Sequence, residues 1–177
     1  GYRTLNAIGI GKKRRGMLYQ RLFSSQEADF VSEPYEVQRM LHSVIKATQS
    51  LKAKIIHAMD SGFDDVAVWS TIWEAGQQLV CRLCHLDRLV ERQTSDGHWE
   101  TISLTQAASG LQELAEVETD MVVQKGRQTV AKLQPVKARI SACPLRLTYQ
   151  VAVRRRRDGE KRQKLVWLVQ VVLEGLN

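Results

Sequence analysis

The side chains with the plainest chemical consequence in this 177-residue chain are its cations, and they are gathered rather than spread. Lys12, Lys13, Arg14 and Arg15 stand in a row near the start, with Arg3 and Arg21 to either side. Arg154, Arg155, Arg156, Arg157, Lys161, Arg162 and Lys164 form a second group. With 26 Lys and Arg against 19 Asp and Glu, the formal net charge is +7 and the pI about 9.5. Concentrated positive charge attracts polyanions, nucleic acid first and an anionic membrane surface second. Lying along a phosphate backbone, such residues bind by releasing condensed counterions, so the binding depends on salt. The competing account is solvated charge that only keeps the chain soluble.

Other chemistries have weaker claims. Cys81 and Cys84 are spaced as a zinc or redox pair, and Cys143 is the third cysteine. A structural zinc needs four ligands, and only Cys143, His57, His85 and His98 remain to complete the set, with no second pair at finger spacing. A redox pair opens a helix after a strand, whereas these two cysteines sit inside a leucine-spaced stretch, so they read as small buried residues. Three cysteines, an odd and small number, favour a reducing compartment. The Gly-Ile-Gly-Lys-Lys run lacks the Gly-Lys-Ser/Thr ending of a phosphate loop. The four histidines are scattered, Asp64-Asp65 reads as a helix cap, and Glu116, Glu118 and Asp120 read as a solvated face, so no catalytic constellation emerges. Neither a metal nor a cofactor is expected.

The elements that must position these cations read as follows. Hydrophobic residues make up 44% of the chain, enough for a core. No apolar run approaches the ~18 residues of a membrane span, and no signal-peptide core opens the chain, although a basic, acid-poor start is also what a transit segment would show. Residues 1–32 are expected to be a basic flexible arm, because Gly9, Gly11 and Gly16 break any helix. Ser32 or Glu33 with Pro34 opens a helix whose apolar face carries Val37, Met40, Leu41, Val44 and Ile45. Asp64-Asp65 caps a second, with Val68, Trp69 and Ile72 inward, and Gly76 turns it. Leu79, Val80, Leu83, Leu86 and Leu89 then recur at helical spacing, and Asp96-Gly97 marks a hairpin turn. A further helix is expected from Thr105. Beyond Pro135, Leu145, Leu147, Tyr149, Val151 and Val153 alternate with polar residues, Asp158-Gly159 turns the chain, and Leu165 to Leu173 returns, a β-hairpin that must pack on the helices, on a third strand from Val136 to Ala142, or on a partner.

The stretch Leu83, Leu86, Leu89-Val90-Glu91-Arg92, Ser95-Asp96-Gly97, Ile102, Leu104-Thr105 and Gly110 resembles the recognition helix, wing and following helix of winged-helix DNA-binding proteins, especially the MarR-like group. The resemblance covers about a third of the chain, residues 50–115. It departs from the family where Gln77 and Gln78 stand in place of a Ser or Thr, and where the chain ends in strands instead of helices.

The resemblance implies an α+β fold, a winged-helix-like core over residues 33–117, with a C-terminal antiparallel β-hairpin in an extension over residues 118–177. It places Gln77 and Gln78 against base edges, Arg82 against a base or a phosphate, and Arg92, Thr94, Ser95 and His98 of the wing against the backbone. With the two cationic groups, these make the expected nucleic-acid-binding set. The expected activity is non-catalytic binding of double-stranded DNA, in transcription regulation or DNA handling, by a cytoplasmic protein with no membrane role. RNA is the alternative ligand, and a winged helix used as a docking subunit the alternative function, with a protein partner or second copy meeting the C-terminal strands.

Overall fold

A computed structural model describes residues 1–123, 132–150 and 160–174 of the chain, and strands dominate them. The chain divides into two compact units, one built on residues 1–84 and one on residues 85–149 and 161–177. Among the described residues, no helix is long and apolar enough to cross a membrane.

In the first unit, the residues expected to form an arm make an antiparallel hairpin, β1 (Tyr2–Ile10) and β2 (Arg15–Ser24). The glycines exclude a helix but not a strand. Arg3, Leu5 and Ala7, and across from them Phe23, Arg21 and Tyr19, recur with the strand period of two on the side toward α1 (Glu33–Thr48). Two arginines fix that packing. Arg3 pairs with Glu33 and Arg21 Nε lies 2.6 Å from Glu36, while Arg39 of α1 itself places Nη1 3.2 Å from the same carboxylate. The Glu36 side chain is fully buried, so two guanidinium partners are what make an ionised group tolerable there. As expected, Ser32 caps α1, its Oγ accepting from Tyr35 N at 3.3 Å, with Pro34 in the first turn.

The chain then forms β3 (Ile56–Met59), a 3-10 turn (Ser61–Phe63), α2 (Val66–Glu74) and β4 (Gln78–Cys81). β3 and β4 pair in parallel, so α2 is the crossover of a β-α-β unit. Asp65 caps α2 as read, accepting from Ala67 N at 2.8 Å, and Gly76 ends it at φ 71°. Met40, Leu41, Val44, Val68, Trp69 and Ile72 fill the core of this unit.

The second unit is a five-stranded sheet. β5 (Leu89–Gln93) and β6 (Trp99–Ser103) form the hairpin read at Asp96-Gly97, with Gly97 at φ 87°. α3 (Leu104–Ser109) follows, closed by a reciprocal Ser103–Gln106 capping box. β7 (Gln112–Val123), β8 (Lys132–Gln150) and β9 (Lys161–Glu174) complete it in the order β6-β5-β8-β7, with β9 paired to β8. Val90, Leu104, Ala107, Val136, Ala138, Ala142, Leu145, Leu147 and Tyr149 are its core. The turn expected at Asp158-Gly159 lies outside the described residues.

The expected α+β fold with a winged-helix-like core is overturned: a five-stranded antiparallel sheet and a parallel β-α-β unit stand where a bundle of three helices was required. The decisive segment is 77–89, which is β4, irregular chain over 82–88 and the first residue of β5. Its leucines recur at helical spacing but never share a buried face, since Leu86 is 49% and Leu89 65% exposed. Parallel pairing of Gln78–Cys81 onto Ile56–Met59 outweighed a periodicity that no partner surface rewarded. The helix expected from Thr105 is one and a half turns long, and the chain from Gln112 is strand instead.

Candidate nucleic-acid interface

Lys12 and Lys13 lie in the turn that joins β1 to β2, closed by Gly11 N donating to Arg14 O at 2.8 Å, and Arg15 opens β2. All four cations of the first cluster are exposed, and none has an acidic partner among the described residues. The other arginines of the hairpin differ. Arg3 is paired with Glu33, and Arg21 with Glu36, which raises the Arg21 pKa further, helped by Asp29. The hairpin therefore neutralises the cations against α1 and leaves those at its tip available to an external anion.

The tip has a further peculiarity. From Ala7 to Leu18 the chain contains only apolar residues, glycines and cations, with no acid, amide or hydroxyl. The register shifts between Ala7 and Ile8: Ala7 faces Tyr19 but Ile8 faces Met17, which makes Leu18 the extra residue of a bulge. Beyond the bulge Ile8/Met17 and Ile10/Arg15 project from one face, and Gly9/Gly16 lie on the other. Gly9 packs closely there, since a Cβ would lie 3.0 Å from the Leu18 side chain. Ile10 is 83% exposed, Ile8 58% and Met17 54%.

The residues assigned to base reading do not join this site. Gln77 is half-buried and engaged on both sides of its amide: Oε1 accepts from His57 Nε2 at 2.6 Å, and Nε2 donates to Thr48 Oγ1 at 3.1 Å. Gln77 and Gln78 line a cleft of about 360 Å³ with Thr48, Lys54 and Ala75. Gln78 starts β4 and Arg82 follows it, both exposed, but no helix carries them into a groove.

The β5–β6 turn is present as a hairpin, but its charges are balanced internally. Arg92 Nη2 donates to Glu100 at 2.7 Å. Arg146 makes two 2.8 Å bonds to Glu91, and its guanidinium lies 4.2 Å from the Trp99 ring centroid. The Arg146 hydrogen bonds hold the Glu91 carboxyl below its usual range. Thr94 Oγ1 donates to Asp96, which lowers that carboxyl too, and His98 is exposed with Nε2 3.9 Å from Asp96. A phosphate would meet three carboxylates here before meeting a free donor.

Of the second cluster, Lys161, Arg162 and Lys164 lie exposed at the start of β9, while Arg154, Arg155, Arg156 and Arg157 lie outside the described residues. On β9, Leu165, Trp167, Val169 and Val171 alternate and are 53–67% exposed, forming an exposed apolar row.

Two features were missed in the sequence. Cys81 and Cys84 lie at and beyond the end of β4, half-buried and exposed, with their thiols donating to the Asp60 and Ser61 carbonyls, so they are not buried helix residues. Cys143 is half-buried on β8, and burial pushes its thiol pKa up. Asp60 was passed over entirely. It stands at the carboxyl end of β3, exposed, accepting from Gly62 N at 3.1 Å, while neighbouring Asp64 is buried and accepts from Cys84 N at 2.6 Å. The local signal is weak: Ile56-His57-Ala58-Met59 is a four-residue run that stops at Asp-Ser-Gly, and its pairing with Gln78–Cys81 is what makes it a strand. No family model matches the chain, and no curated protein matches its sequence.

Proposed function

We propose that the chain binds nucleic acid, double-stranded DNA first, by laying the turn of the β1–β2 hairpin along phosphates, as part of a regulatory or DNA-handling activity. One observation carries this reading: four consecutive cations, Lys12 to Arg15, stand at the turn of a paired hairpin with no acid to neutralise them among the described residues. A two-stranded ribbon is narrow enough to enter a groove, and cations at its tip supply the sequence-independent part of the affinity. Lys161, Arg162 and Lys164 add cations in the second unit, and the open apolar row of β9 supports contact with a partner protein or a second copy. The test is a set of anisotropy titrations with a labelled duplex, single-stranded DNA and structured RNA at several salt concentrations. Preference for duplex, with affinity falling steeply with salt, supports the reading; binding to none of the three refutes it, and preference for RNA moves the function to that ligand.

A second reading is favoured by Asp60. Ligands of α/β units bind beyond the carboxyl ends of parallel strands, and Asp60 presents an exposed carboxylate there. No three His, Cys, Asp or Glu side chains converge as a metal cage among the described residues. Mg²⁺ characteristically binds through one or two carboxylates plus substrate phosphates, so a phosphodiester held by the protein would bring the remaining ligands, and the chemistry would be metal-assisted phosphoryl transfer. Nicking of supercoiled plasmid with Mg²⁺, lost in Asp60→Asn with binding retained, would establish it. Intact plasmid with the native chain would remove it.

A further inference from the structure

We infer that the β1–β2 hairpin is a wedge: Ile10 inserts between base pairs of duplex DNA from the minor groove and kinks the duplex toward its major groove, away from the tip. This rests on the nucleic-acid-binding reading above and specifies the form of nucleic acid and what is done to it.

The argument starts from exposure. Ile10, at 83%, is the most exposed large apolar side chain among the described residues, and it adjoins a turn of four cations. An apolar side chain on a solubilising turn gains nothing in water; its burial against a ligand is what would favour it. The bulge sharpens the point. Without it Ile8 would face Leu18 and Ile10 would face Gly16; with it Ile8 and Met17 form a cross-strand pair and Ile10 stands beside Arg15 on the same face. The result is a continuous ridge, Met17–Ile8–Ile10, that runs into the cationic turn.

The composition of the tip selects the occupant. Arg and Lys can read guanine in the major groove, so the cations alone choose no groove, but residues 7–18 hold no amide, hydroxyl or carboxylate to read the other bases. What they contain, Ile and Met flanked by Arg and Lys, is the composition of minor-groove proteins that unstack a base step with an apolar wedge while cations hold the phosphates on both sides. Arginine also favours the negative potential of a narrowed minor groove. An acidic protein would satisfy the cations but offers no repeated slot for a single protruding isoleucine. Flexible pyrimidine–purine steps unstack most easily, so they are the predicted insertion points.

The experiment uses the full chain and a duplex of about 30 base pairs with one central TA step, long enough for a bend of 40–90° to bring the ends together. Donor and acceptor dyes sit at the ends, and a second duplex carries 2-aminopurine at the step. The native chain is expected to raise energy transfer between the ends and to brighten 2-aminopurine as the step unstacks. Ile10→Ala is expected to bind with the same salt dependence, up to about tenfold more weakly because unstacking offsets much of the gain from burial, and to lose both signals. Ile10 is solvent-exposed, so the variant should fold, and its circular dichroism checks this. Ile10→Leu should restore the signals.

Binding without bending or brightening in the native chain overturns the wedge and leaves the nucleic-acid reading intact. Absence of duplex binding removes both. A cationic turn with an apolar tip also suits an anionic bilayer, so vesicles of phosphatidylcholine and phosphatidylglycerol form a last arm. Ile10-dependent binding to them, with the duplex unbent, overturns the wedge in favour of a membrane.

Discussion

Replacing Lys12, Lys13, Arg14 and Arg15 together by serine should flatten the salt dependence of DNA binding by a calculable amount. Consecutive Cα atoms are about 3.8 Å apart, so the four side chains arise within about 11 Å of chain. One DNA strand presents a phosphate about every 3.4 Å of helix axis, so about three phosphates lie within that length. Neighbouring side chains in a turn diverge, which makes two to three simultaneous contacts the expected number. Each lost contact lowers the slope of log affinity against log salt by about 0.9, a total of about 1.8–2.7. Between about 50 and 200 mM salt, the native chain should therefore lose about 12- to 40-fold more affinity than the variant. Anisotropy titrations of one labelled duplex across that range measure both slopes. The four residues are exposed and unpaired with acids among the described residues, so thermal stability should move by less than about 0.5 kcal/mol. Parallel slopes in a folded variant would refute the reasoning, since the tip would then touch no phosphate.

Other consequences concern the scaffold and the second unit. Arg146 stabilises ionised Glu91, so the pair contributes above the ordinary Glu pKa and is lost as pH falls through the lowered value; the melting-temperature gap between native chain and Glu91→Gln should be widest near neutrality and narrow progressively once the pH falls below the ordinary carboxylate range. Gly97→Ala should destabilise by about 1–2 kcal/mol in chemical denaturation, through backbone strain at φ 87° alone because no atom crowds the new methyl, and Gly97→Asn by less. Leu145→Ala, at 1% exposure on β8, should lose about 2–5 kcal/mol by the same measurement without changing the DNA salt slope.

What the sequence revealed depended on how local the cause was. Ser32 with Pro34, Asp65 before Val66, Asp96-Gly97 and the alternation from Leu145 to Tyr149 are each decided by a few neighbouring residues, and each element was legible. β3 and β4 were not, because four-residue strands in parallel acquire their hydrogen bonds from a partner some 22 positions away. The leucines of 79–89 misled for the same reason: periodicity reports a face only where a partner exists to bury it. Asp60 was lost with β3, since its placement follows from a strand that only the pairing reveals.

The cations show the opposite case, in which composition was read well and geometry was not. That Lys12 to Arg15 cluster is visible in any reading, yet a flexible arm and a rigid hairpin make different physical claims. An arm must be ordered on binding, which costs about 1–2 kcal/mol of backbone entropy per residue fixed. A hairpin has met that cost in folding: register pairs from Tyr2/Ser24 to Ile10/Arg15, Arg21 on buried Glu36 and Arg3 on Glu33 hold its base before any ligand arrives. The bulge at Leu18 then sets which side chains accompany the cations to the tip, a choice invisible to any count of charge. A pre-ordered ribbon with Ile10 beside Arg15 can deform what it binds, whereas an arm can only follow it. Thus the bending measurement, more than affinity, distinguishes a rigid basic hairpin from an equally charged tail.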